Sequence, residues 1–146
     1  MNFKIFQDKF VEWIIQDVEA KKIDGFPVCP FARKARLTNK IQFLDCRDNL
    51  KSQYELFDKE TYEIAIAWVD GQDITDVQVV LDELSKENPD LLYFTSTPES
   101  GHFVQNFTNC VFIQLRADII QKRGFLHTTT YYDSWPKDYY ENITKL

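Results

Sequence analysis

The sequence predicts an α+β fold: a single-domain sandwich over residues 1–146, with helices on one face of a mainly antiparallel sheet. A ferredoxin-like variant is the first expectation and a thioredoxin-like arrangement the alternative. Three observations predict it. Apolar residues recur at three- and four-residue steps in some segments and alternate in others, so helices and strands are both present. The segments follow one another as helix, strand, helix, strand, helix, strand, strand, which fits helices packed on a sheet. A chain of 146 residues, 44% of them hydrophobic, can bury a proper core, and no repeat, low-complexity tract or linker divides it.

The elements can be justified in order. Phe3, Phe6, Phe10, Trp13, Ile14 and Val18 form one stripe of an amphipathic helix from about residue 3 to 22. "DGFP" stops it, with Gly25 as a C-cap residue and Pro27 forbidding resumption. "KIQFLDC" (Lys40 to Cys46) reads as a strand, and "RDNLKSQYELFDKE" as a short helix burying Leu50, Tyr54 and Phe57. "YEIAIAWV" (Tyr62 to Val69) is apolar at almost every position, as in a central strand covered on both faces. Asp73 is a good N-cap for a helix with Ile74, Val77, Leu81 and Leu84 on its buried stripe, and Pro89 marks its stop. "LLYFTST" (Leu91 to Thr97) and "CVFIQLR" (Cys110 to Arg116) are two more strands, joined by a polar loop. Residues 118–146 begin as a helix and continue as an aromatic-rich tail, with Tyr131, Tyr132, Trp135, Tyr139 and Tyr140 expected to lie across the domain.

Composition excludes several function classes. Only four glycines are present and no G-x-G-x-x-G or Walker sequence occurs, so the common nucleotide cradles are missing. A net charge of -6 repels polyphosphates, and the only basic cluster is Arg33, Lys34 and Arg36, so no nucleic-acid partner is expected. The N-terminal segment alternates apolar with charged residues, which reads as neither signal peptide nor membrane span. Cys29, Cys46 and Cys110 form no C-x-x-C pair and no zinc-like spacing, so reduced thiols in the cytoplasm are expected, with no metal and no cofactor.

The most unusual stretch is "DGFPVCPFARKARL" (Asp24 to Leu37), where a cysteine stands between two prolines and is followed by three cations. Pro30 suits the first position of a helix, which puts Cys29 at the N-cap. There, unpaired backbone N–H groups and the helix dipole favour thiolate, with Arg33 one turn on and Arg36 nearly two. The competing reading makes Cys29 a small hydrophobe that plugs the core between Val28 and Phe31.

"IDGFPVCPFA", following a tryptophan-bearing helix, resembles an uncharacterised family of small bacterial proteins that carries a Cys-Pro-Phe-Ala (CPFA) motif after an N-terminal helix. "NFTNCVFIQLR" (Asn106 to Arg116) is similar to that family's Asn-aromatic-Thr-Asn stretch and its Leu-Arg end. The similarity spans roughly residues 10 to 116. The family's Arg-Ser-Pro-Tyr-Pro element is missing, with Cys110 and Val111 in its place, and so is its His-Pro pair. The resemblance implies a shared fold and draws attention to Cys29, Pro30, Phe31 and Ala32; it brings no activity with it.

Two functions follow as expectations. The first is a cysteine-centred site for a small anionic molecule, with thiol-dependent catalysis as its active form. Cys29 would be the nucleophile or contact, His127 the base or orienting group, and Arg33, Arg36 and Asp133 the ligand-binding residues. His102, in the polar loop, is the second histidine of the chain. The alternative is a non-catalytic viral or accessory protein that docks onto a protein partner through its acidic surface and the aromatic tail, whose tyrosines and tryptophan are typical interface anchors.

Overall fold

The structure, a computed structural model, describes residues 2–23, 25–48, 57–70, 73–95, 110–133 and 135–144. α1 spans Phe3–Trp13 and is opened by Asn2, whose side-chain oxygen accepts the Ile5 N–H at 2.8 Å. Its buried residues, Phe6 and Phe10, are followed by buried Ile14 and Val18, always four residues apart. In an α-helix such a repeat drifts about 40° around the axis per step. The chain changes to a π-helix over Ile14–Glu19, and the Ala20 N–H donates five residues back to the Ile15 carbonyl at 3.2 Å. These wider turns oppose the drift and keep Val18 on the buried side. The helical run stops at Glu19 rather than near residue 22. Gly25, at φ +86°, turns a small hairpin between β1 (Lys22–Ile23) and β2 (Phe26–Pro27), instead of capping the helix.

α2 is short, Ala32–Leu37, and starts two residues later than Pro30 would suggest. Its end is a Schellman closure. Asn39 takes φ +55°, the Lys40 N–H donates to the Ala35 carbonyl at 2.8 Å, and the Asn39 N–H to that of Arg36 at 3.3 Å. The chain then enters a four-stranded mixed sheet of β3 (Ile41–Asp45), β4 (Ile64–Trp68), β5 (Leu91–Phe94) and β6 (Cys110–Leu115), in the order β3-β4-β6-β5. β3 pairs parallel with β4, while β4 with β6 and β6 with β5 pair antiparallel. Between β4 and β5 lies α3 (Ile74–Glu87), capped by the Asp73 carboxylate on the Thr75 N–H at 2.8 Å and closed before Pro89, as the sequence predicts. Phe57 is buried, whereas Leu50 and Tyr54 of the expected short helix lie outside the described residues.

The α+β class and the predominance of antiparallel pairing are as expected, but the helices do not share one face. Along β4, Ala65 and Ala67 join Val111, Ile113, Val77 and Leu81 in the core under α3. Ile66 and Trp68 join Phe6, Phe10 and Ile14 in the core under α1. The reason is visible in β4 itself: both sets of alternating residues are apolar and buried, so each face needs a helical cover. The ferredoxin-like expectation holds in one unit. β4, α3 and β5 form a split βαβ in which β6 lies between the two parallel strands, whereas β3 and β4 pair directly.

α4 (Arg116–His127) leaves the end of β6 and buries Ile119 and Leu126. A turn over residues 128–133 and α5 (Lys137–Thr144) complete the described chain. The Tyr131 ring is buried and meets Phe26 edge-on at 5.8 Å, and its hydroxyl donates to the Val28 carbonyl. The tail thus holds the segment that leads into Cys29.

Candidate functional site

The two cores differ in how completely they close. Near Trp68 the α1 face is filled, because Phe3 and Phe6 stack on the indole at 5.9 and 5.1 Å. At the other end of the strands the covering residues of α2 are Ala32 and Ala35, whose methyl groups fill little space. A cavity of about 270 Å³ remains there. Its floor is Phe10, Ile14, Ile41, Ile64 and Ile66, and its sides are Trp13, Phe31, Phe94 and Phe112. Phe94 and Phe112 stack with planes 5° apart at 5.2 Å, presenting a flat aromatic wall. Among the described residues its polar side chains are Glu63, Gln114, Thr95 and Lys122, together with the Cys29 thiol. Phe10 and Ile66 are fully enclosed, whereas the Glu63 side chain is 40% exposed and Phe94 42%, so the cavity is apolar in its depth and mixed, polar and aromatic, where it meets solvent.

Three of the four CPFA residues, Cys29, Phe31 and Ala32, line this cavity. Position follows from local structure. The Cys29 N–H donates to the Val18 carbonyl at the end of the π-helix at 3.4 Å, and the Cys29 carbonyl accepts the Ala32 N–H at 3.3 Å. Backbone N–H groups of Phe31 and Ala32 are directed at the sulfur, as a helix start would provide, and they pull the thiol pKa down. Burial outweighs them. Although the residue as a whole keeps some solvent contact, desolvation of the sulfur is the largest influence, and the Cys29 pKa lies above its ordinary value. The nearby Lys122 lowers it and Glu63 raises it, both to a lesser degree. Of the two readings of Cys29, the raised value favours the neutral thiol.

Lys122 comes from α4 and reaches the rim. Its Nζ donates to Asp118 Oδ2 at 2.9 Å and to Glu63 Oε2 at 3.1 Å, and it lies 5.5 Å from the centre of the Phe31 ring. Partial burial depresses its pKa, but the hydrogen bonds and charges of Asp118 and Glu63 more than offset this, so the ammonium stays charged.

The other residues singled out from sequence sit elsewhere. Arg36 is held by Glu19 through two hydrogen bonds of 2.7 and 2.9 Å, a bidentate pair that ties α2 to the π-helix. Arg33 and Asp133 are exposed and do not line the cavity. His127 belongs to the tail. Its Nδ1 donates to the Arg123 carbonyl at 2.6 Å, which leaves Nε2 to accept the Tyr140 hydroxyl proton at 2.6 Å, and Tyr132 packs on the ring at 4.8 Å. It is not among the lining residues. His102 lies outside the described residues. Among the described residues no group of three or more His, Cys, Asp or Glu side chains is placed to hold a metal, and no helix is long and apolar enough to cross a membrane.

Sequence reasoning missed Lys122, Glu63 and the aromatic wall. The i,i+4 spacing of Asp118 and Lys122 was the one available signal, and it says nothing about which way the pair faces. Comparison of the chain with protein-family models, with curated proteins and with solved structures finds no match.

Proposed function

We propose that this chain binds a small, mostly apolar, ring-bearing molecule in the cavity beside Cys29, and that Cys29 serves as a wall contact. The observation that carries this reading is the cavity: about 270 Å³, walled mainly by rings and branched aliphatics, with few polar side chains among the described residues that line it. That is the usual make-up of a small-molecule site. The reading keeps the small molecule and the CPFA residues expected from sequence. It does not call on an anionic ligand group, because Arg36 is engaged by Glu19 and Arg33 is off the lining. One observation favours a second reading, thiol chemistry on a bound electrophile: the two backbone N–H groups directed at the Cys29 sulfur would stabilise a thiolate once formed.

Titration with 1-naphthalenemethanol, an uncharged two-ring probe, tests the first reading through the fluorescence of Trp13, which lines the cavity. A saturable change is expected, weakened at least about tenfold in Ala35→Leu, which puts a larger side chain into the space. Failure to saturate, or an unaltered affinity in that variant, would count against a ligand in this cavity.

A further inference from the structure

The rim has a charge balance that apolar cavities with a lysine at the mouth usually lack. One cation, Lys122, faces two carboxylates, Glu63 and Asp118, at 3.1 and 2.9 Å. Of the three, Glu63 and Lys122 line the cavity among the described residues, while Asp118 holds Lys122 from beside it, and the cluster sums to one negative charge. At least two of the three N–H bonds of the Lys122 ammonium are already given to carboxylates. A ligand carboxylate would find at most one N–H of Lys122 left to it and would stand beside both Glu63 and Asp118. An ammonium faces the opposite situation. Glu63 lines the cavity directly and its side chain is 40% exposed, so it can turn one oxygen to a second cation while the other keeps Lys122. The rings add to this preference, because aromatic faces attract desolvated cations, and Phe31 already has the Lys122 ammonium 5.5 Å from its centre. Beside Glu63, the Gln114 and Thr95 side chains offer further oxygen acceptors at the same rim.

We infer that the cavity selects an aromatic molecule carrying an ammonium group and rejects aromatic carboxylates, with Glu63 as the residue that sets this specificity. The inference rests on the cavity being a ligand site, and it assigns the class of ligand.

Three probes of one shape separate the two claims: 1-naphthylmethylamine, 1-naphthalenemethanol and 1-naphthoic acid, titrated by calorimetry at pH 7. The amine is expected to bind roughly five- to tenfold more tightly than the alcohol, and the acid at least about tenfold more weakly. Raising the salt concentration should shrink the amine's advantage, because part of the rim is solvent-exposed. Glu63→Gln should bring the amine down to the affinity that the alcohol shows in the same variant. If Glu63→Gln does not give the circular dichroism of the parent, Asp118→Asn, a second loss of one negative charge, should also reduce the amine's advantage. An acid that binds as well as the alcohol overturns the inference even though the cavity binds ligands. So does an amine preference untouched by both substitutions. If none of the three probes binds, the ligand-site reading itself falls and this inference falls with it.

Discussion

The two faces of the sheet use the same strands and reach opposite results. Under α3 the strands present Ala65, Ala67, Val111 and Ile113, and the helix meets them with Val77 and Leu81. Small strand residues let the helix approach, and short aliphatic side chains fill what remains. Under α1 the strands present Ile66, Trp68, Phe43 and Phe112, and the helix answers with Phe3, Phe6, Phe10 and Trp13. Rings are rigid and large, so they stack well where a partner plane is available and leave space where one is missing. Trp68 has such partners; the region opposite Ala32 and Ala35 does not. One face is thus a packed core, and the other is half core and half chamber.

The largest test of this contrast lies at its filled end. Trp68 is fully buried and packed by Phe3 and Phe6, with the Arg47 guanidinium 4.0 Å from its ring centre. Trp68→Ala should cost about 3–5 kcal/mol in chemical denaturation. A loss below about 1 kcal/mol would mean that the α1 face is loose throughout, and the contrast would dissolve. A smaller and more telling pair enlarges one alanine on each face. Ala65→Leu, in the α3 core, should destabilise by about 1–3 kcal/mol through overpacking. Ala35→Leu, at the chamber, should stabilise by about 0.5–2 kcal/mol by filling space. Equal effects of the same sign would remove the distinction.

The cysteines give the subtlest comparison. Cys46 belongs to the α3 core and Cys110 to the α1 core, and burial pushes each thiol up to about 12. Cys29 lines the chamber and is also raised. In native protein, iodoacetamide should modify Cys29 alone, more slowly at pH 8 than a thiol in a short peptide, with Cys46 and Cys110 reacting only after denaturation. All three raised values have one sign for stability. The folded state keeps protons that the unfolded state gives up near the ordinary value of 9.0, so the contribution is intact below that pH and declines as pH climbs above it. A midpoint in urea that is the same at pH 8 and pH 10 would contradict this burial.

Much of the fold was legible because it is local. The stripe of α1, the Asp73 cap and Pro89 stop of α3, and the doubly apolar β4 all follow from neighbours within a few residues. That run in β4 also implied two covered faces, in conflict with helices on one face only, and the structure resolves the conflict in favour of the strand. Strand order was not legible, since β4 pairs with β6 across more than forty positions and no local pattern records the choice. The site divides in the same way. Cys29 and its backbone N–H donors could be placed from the prolines, but whether they face water or hydrocarbon depends on Phe10, Phe112 and Lys122, which arrive from three other elements. Arg36 looked available because Glu19, its partner, is a full turn-and-loop away in the chain. The sequence left two readings of Cys29 open for this reason: its electrostatics come from near neighbours and its desolvation from distant ones.

The π-helix exports bonding capacity. In a continuing α-helix the Val18 carbonyl would be spent on an N–H four residues on, within the helix. Here the helix ends just beyond it, and that carbonyl receives the Cys29 N–H instead, while the Lys21 carbonyl receives the Val28 N–H at 3.2 Å. The chain's first helix therefore stitches the cysteine's backbone to its own last turn. Deleting one residue between Ile14 and Glu19 would shorten the helix by a mere 1.5 Å or so, yet it would turn the Val18 carbonyl and the Glu19 carboxylate by about 100°. Two fastenings of one segment, on Cys29 and on Arg36, would be undone by a single missing codon.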